Sequence, residues 1–136
     1  MGRILALDYG SKRIGIAVSD ETKTISFPKP YVLMAEKEKL LEFIKQNQIE
    51  KILLGLPTAL SGQETESTKK TRDFMVWLET QTHLPIEYID ERLTTQEVKR
   101  FETNKELIDS LVAQKMLERY IEKLSAKGGS ASGGKI

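Results

Sequence analysis

Three acidic residues stand where a folded chain could gather carboxylates into a reaction centre. Asp8 ends a short apolar run, Glu91 follows a later one, and Asp109 falls in the first turns of the last helical pattern. Three carboxylates held together without a cation repel one another and raise one another's pKa. A divalent metal removes that penalty. Mg²⁺ takes oxygen ligands, usually one or two carboxylates together with water and substrate phosphate. Two such ions about 4 Å apart stabilise both the attacking and the leaving oxygen of a displacement at phosphorus. The segment "DYGSKR" fits the same chemistry. Gly10 lets the backbone come close to a phosphate, and Lys12 and Arg13 sit at the rim where a nucleic-acid backbone would pass.

Each piece also has a plainer reading. Asp and Gly suit turns for local reasons. Asp109 near a helix N-terminus complements the helix dipole. Lys69, Lys70 and Arg72 read as a solvated helix face, and Trp77 as packing. His83, the only histidine, lies in a loop before Pro85 and argues against histidine acid–base chemistry. With no cysteine and one histidine, a zinc site is not expected.

The elements that would carry these residues follow from periodicity. Residues 3–7 read as a strand buried on both faces, and 13–19 as a second strand. The link between them is too short for a parallel crossover, so they form an antiparallel hairpin. Residues 25–33 are a third strand, placed at a sheet edge because Pro28 and Pro30 each remove a ladder donor. A helix at 36–47, a buried strand at 51–57, and a helix from just after Ser61 to Gln81 follow. Residues 85–90 are the last strand. A short helix to about Phe101 and a long helix at 105–125 complete the order. Ser61 with Glu64, Thr94 with Glu97, and Thr103 with Glu106 have capping-box spacing. The apolar stripe of the long helix is Ile108, Leu111, Val112, the Lys115 stem, Met116 and Ile121. The Gly/Ser-rich residues 125–136 read as a disordered tail. The fold class is therefore α/β: a mixed five-stranded sheet in the order 3-2-1-4-5, strand 2 antiparallel, with helices on both faces. Strands one, four and five run parallel in this scheme. Asp8 and Glu91 then emerge at one carboxyl edge, where ligands bind in open sheets, and the last helix can bring Asp109 to them.

The 136 residues make one domain, with no cysteine and a net charge of +1. Absent cysteine fits a reducing, cytoplasmic setting. No secretory segment opens the chain, and nothing approaches the ~20 apolar residues of a membrane span. Balanced charge means that any nucleic-acid site must rest on a local basic patch.

Four stretches together resemble the YqgF (RuvX) family of the RNase H-like and Holliday-junction-resolvase superfamily. They are "LALDYGSKRIGIAVSD", "LLGLPTALSGQE", "YIDERLTTQEV" and "IDSLVAQKMLERYI", in order at suitable spacing. The resemblance covers residues 4–124. It implies an RNase H-like nuclease domain at 1–124 and a divalent-metal site, with one or two Mg²⁺ or Mn²⁺ ions on Asp8, Glu91 and Asp109. Gly10, Lys12, Arg13, Arg92 and Thr94 would lie around them and contact nucleic acid. Family members are described as nucleases maturing the 5′ end of small-subunit ribosomal RNA precursor, with Holliday-junction resolution as the other proposed activity. A monomer suffices for the first and a homodimer suits the second. Two departures stand out. The fourth strand lacks the acid that related resolvases carry, so Glu91 must serve from the neighbouring strand. Val112 also stands where alanine is usual. Two rivals belong to other classes. One is a phosphate-binding Asp-x-Gly hairpin of an ATPase, which needs a second such domain. The other is a non-catalytic RNA-binding or transcription-associated module that keeps the fold.

Overall fold

The segment "RILALDY" is apolar on both sides, and in the folded chain both sides are covered. The structure, a computed structural model, describes residues 2–10, 12–56, 66–90, 98–102 and 104–132. The elements are β1 (Arg3–Tyr9), β2 (Arg13–Ser19), β3 (Ser26–Leu33), α1 (Lys39–Gln46), β4 (Ile49–Leu56), α2 (Glu66–Thr82), β5 (Ile86–Asp90) and α3 (Lys105–Ser132). A single 3-10 turn, Met34–Glu36, precedes α1. Residues 98–101 are helical, as expected of the short helix. The capping boxes at 61–64 and 94–97 lie outside the described residues, as does Thr103 of the third.

The sheet order is β3-β2-β1-β4-β5, as expected. β2 is antiparallel to β1 and to β3, while β1, β4 and β5 run parallel. On one face, Leu5, Leu7, Ile14, Ile16, Ile52 and Leu54 pack against Leu40 and Ile44 of α1 and Phe74 and Leu78 of α2. On the other, Ile4, Ala6, Ala17 and Leu53 pack against Ala113, Leu117 and Ile121 of α3. A fully buried Leu or Ile contributes about 1.5–3 kcal/mol. Exposed pairs such as Lys39–Glu36 contribute about 1 kcal/mol or less. The two apolar layers, not the charged surface, therefore hold the sheet.

Helix α3 differs from its expected form in two ways. Its sheet-facing line is Ser110, Ala113, Leu117 and Ile121, all buried. Val112 and Met116 are buried beside it against Val98, so the valine at 112 is accommodated in the core. Leu111 and Lys115 lie on the flank instead, lining a groove with Val98 and Phe101. The large side chains marked the stripe in the sequence, but the sheet here presents Ala6, Gly15 and Ala17, and a helix packs onto such a surface with its own small residues. The second difference is length. The backbone stays helical to Ser132, past residue 125 where the disordered tail was expected to begin. Residues 133–136 lie outside the described part.

One hydroxyl repairs a defect in the sheet. The β2–β3 register shifts between Ile14 and Ile16. Ser110 Oγ accepts from the Ile16 N–H at 3.3 Å and donates to the Lys29 carbonyl at 2.6 Å. Gln114 Nε2 adds a bond to the Ser26 carbonyl at 3.2 Å. Ser110→Ala would leave the Ile16 donor and the Lys29 acceptor without that partner, a cost of about 1–3 kcal/mol. Urea unfolding should show a lower midpoint with an unchanged slope.

Candidate active site

Asp8 lies inside β1, one residue short of its end. Its cross-strand partners are Gly15 on β2 and Gly55 on β4. Side chains directly opposite one another share a face of the sheet. The carboxylate therefore rises on the α3 face between two positions that carry no side chain. Asp8 is 8% exposed. Paired on both sides in the ladder, it is not a turn residue, and the plainer reading of its Asp-Gly context fails. A carboxylate this buried is costly unless it is hydrogen-bonded, paired or bound to metal.

Asp109 reaches the same place from α3. A β-carbon on Gly15 would lie 2.1 Å from the Asp109 carbonyl oxygen and 2.3 Å from its carbon. The first turns of the helix thus touch β2 backbone to backbone, beside the cross-strand neighbour of Asp8. Only glycine permits this. Arg13 Nε donates to Asp109 Oδ2 at 3.2 Å, and its guanidinium lies 5.4 Å from the Tyr31 ring centroid. The pair is partly exposed, and such pairs contribute about 0.2–1 kcal/mol. A phosphate or a cation can therefore displace it at small cost.

The other expected site residues divide. Lys12 is exposed on the β1–β2 hairpin, and its carbonyl accepts from Met34 N at 2.8 Å. A β-carbon on Gly10 would meet the Arg13 carbonyl oxygen at 2.5 Å, so the hairpin itself demands glycine there. Glu91, Arg92 and Thr94 lie outside the described residues. β5 carries the chain as far as Asp90 at the carboxyl edge that holds Asp8, with Ile89 level with Gly55. Among the described residues, no group of three metal-ligating side chains is gathered. Gly15, Gly55 and Ser110 were not singled out from the sequence. A glycine inside a strand pattern is a signal of close backbone approach, and "RIGIAVS" carries it.

One strongly displaced carboxyl group lies outside the candidate site. The Thr22 hydroxyl, the Ile25 N–H and both polar groups of Thr24 hold Asp20 well below the usual carboxylate range. Asp20 organises the β2–β3 turn, and its burden is structural.

The chain is similar to known proteins over most of its length. A family model for RuvX, described as Holliday junction resolvase, matches residues 2–123. A Koribacter versatilis protein named "Putative pre-16S rRNA nuclease" is 38% identical over 134 residues, covering 90% of this chain and 88% of its own. A Sulfurihydrogenibium protein of the same name is 39% identical over 137 residues, covering 92% of this chain and 93% of its own. Among solved structures, T. thermophilus RuvC in complex with a Holliday junction substrate superposes with a TM-score of 0.58 at 10% identity, covering 95% of this chain and 97% of that one. At that identity the likeness is one of fold.

The contact at Gly15 gives the site its own test. Gly15→Ala places a methyl group on the Asp109 backbone, so α3 must shift. Overpacking of this kind costs about 1–3 kcal/mol. Urea unfolding should show that loss, and the Arg13–Asp109 pairing should be disturbed in NMR spectra of the arginine Nε–H. An unchanged midpoint and spectrum would mean that the helix does not sit this close.

Proposed function

The chain belongs to the RuvX family, and from that premise we propose that it is a divalent-metal-dependent endonuclease acting on structured nucleic acid. Its proposed task is processing of the 16S ribosomal RNA precursor, after the names of its curated relatives; the 5′ end as its target and the cytoplasm as its setting are part of the same proposal. The observation that carries the reading is Asp8: a buried carboxylate on the central strand, in a cradle formed by two glycines and closed by the helix that bears Asp109.

The donor set fits a hard cation. Asp8 and Asp109 offer carboxylate oxygens from rigid elements, and β5 leads toward Glu91 at the same edge. These three residues would hold one or two Mg²⁺ or Mn²⁺ ions. Such an ion, when bound, lowers the pKa of a water and offsets charge on the leaving oxygen. The chain's own residues do the rest. Asp8 fixes the site against the sheet. Arg13 neutralises Asp109 and can turn to a substrate phosphate. Gly10, Lys12, Arg92 and Thr94 are the proposed contacts to the passing backbone, and contacts to phosphate set position without reading bases. Water oxygen bonds to phosphorus, the P–O bond to the departing strand breaks, and the departing oxygen gains a proton.

A second reading is resolution of four-way DNA junctions, favoured by the family's description. It differs in assembly. Trimming an RNA end needs one active site, which a monomer supplies. Symmetric resolution needs two, which a twofold dimer supplies.

The test uses a labelled precursor ribosomal RNA fragment and a labelled four-way DNA junction, with Mg²⁺ or Mn²⁺ and then with chelator. The wild type should cut the RNA, and chelator should stop it. Asp8→Asn should lose roughly 10²-fold or more, the scale of several kcal/mol of charge stabilisation. Urea unfolding in chelator should show that the variant still folds, so that the loss is one of catalysis. Junction cutting alone would move the substrate to DNA. RNA binding without cutting would make the chain a binding module.

A further inference from the structure

Asp8 and Tyr9 are consecutive on β1, and consecutive strand residues face opposite sides of a sheet. Asp8 faces α3. Tyr9 lines a cleft on the other side, together with Met34, Lys37, Lys70, Asp73 and Phe74. The cleft measures about 290 Å³. That is at the low end for small-molecule sites and suits a single planar group. Its inner wall is aromatic. The Tyr9 and Phe74 ring centroids are 5.2 Å apart, and Phe74 stacks on Trp77 at 5.7 Å. Its rim carries two cations, Lys37 and Lys70, against one carboxylate, Asp73. The Lys37 ammonium sits 4.6 Å from the Trp77 ring centroid, and Lys70 pairs with the exposed Glu66 at 3.7 Å. Both are weak surface interactions that a phosphate can replace. The bond from Met34 N to the Lys12 carbonyl ties the cleft to the β1–β2 hairpin of the candidate active site.

We propose that this cleft holds one unpaired nucleotide of the strand being cut. The inference rests on the nuclease reading of Asp8. The base lies against Tyr9 and Met34, and its flanking phosphates lie on Lys37 and Lys70. Every base has a stackable face, so the cleft accepts any base. Lysines act here as point charges for phosphate without specifying sequence. Three features favour this occupant: the charge of the rim, the aromatic wall, and a position one residue from the carboxylate that cuts. Lys70, which reads from the sequence as part of a solvated face, thereby gains a function. The enzyme then prefers substrates with single-stranded nucleic acid next to the cleavage point.

Trp77 is the only tryptophan in the chain, and the Lys37 ammonium rests on its ring. Drawing Lys37 to a phosphate therefore changes Trp77 fluorescence. The experiment titrates the full chain, in chelator so that no strand is cut, with a short oligouridylate and with a blunt RNA duplex of equal length. The single strand should give a saturable fluorescence change and the duplex none. Lys37→Gln with Lys70→Gln removes the cation that Trp77 reports on, so its binding is read by anisotropy of an end-labelled oligouridylate, alongside the wild type; it should weaken single-strand binding roughly tenfold. It should also flatten the salt dependence by about 1.4 in log–log slope, from two phosphates at about 0.7 each. Tyr9→Ala should weaken binding, and Tyr9→Phe should restore it. Lys123→Gln, on the exposed far part of α3, should change nothing. No saturable response in the wild type, an equal response to duplex, or an unaltered salt slope in the double variant would overturn the proposal. Cutting by a wild type whose Trp77 is silent would remove the cleft and keep the nuclease. A Trp77 response without metal-dependent cutting would do the reverse.

Discussion

The carbonyl of Asp109 lies where a β-carbon on residue 15 would be. Much else in the molecule serves that contact. Ala6 and Ala17 keep the sheet surface low around Gly15, and Ala113 keeps the helix surface low above it. Ser110 fills both hydrogen-bonding gaps at the β2–β3 irregularity, and so fixes the helix along its axis as well as in height. At the far end of the sheet, Lys51 of β4 bonds Glu87 of β5 at 2.8 Å and the Tyr120 hydroxyl of α3 at 2.6 Å. The helix is thus fastened at two points, and Asp109 is placed by both.

A strand's alternation divides the work of the carboxyl edge. The acids lie under α3, where two glycines make room for them. The aromatic and basic groups lie on the other face, between the hairpin, the segment before α1 and the body of α2. The β1–β2 hairpin belongs to both, through Arg13 on one side and through the Lys12 carbonyl on the other. Asp8 and Tyr9, neighbours in the chain, thus face different surroundings on the two sides of the sheet.

The architecture was plain in the sequence because its signals were local. A five-residue link demanded a hairpin, two prolines demanded an edge, and apolar runs bounded by Gly and Pro demanded buried parallel strands. Asp8 was picked out by its place at the end of such a run, and Asp109 by its place in the first turns of the last helix. The helix line was harder. Ala113 and Leu117 face the sheet, and Ala113 has too little side chain to announce it. Gly15 was visible as a glycine in a strand, but its partner is a carbonyl on a distant helix, and no local pattern names it. Lys70 looked like any solvated lysine until Tyr9 and Met34 were placed beside it. Glu91, Arg92 and Thr94, assigned by the family resemblance, lie outside the described residues.

Arg13 and Asp109 are 96 residues apart in sequence. A ribosome adds roughly 5–20 residues each second, and folding proceeds from the N-terminal side. The hairpin that carries Asp8 is therefore made about 5–20 s before the helix that completes its surroundings. The contact between Arg13 and Asp109 therefore forms only once most of the chain has been made, and the surroundings of Asp8 are completed last.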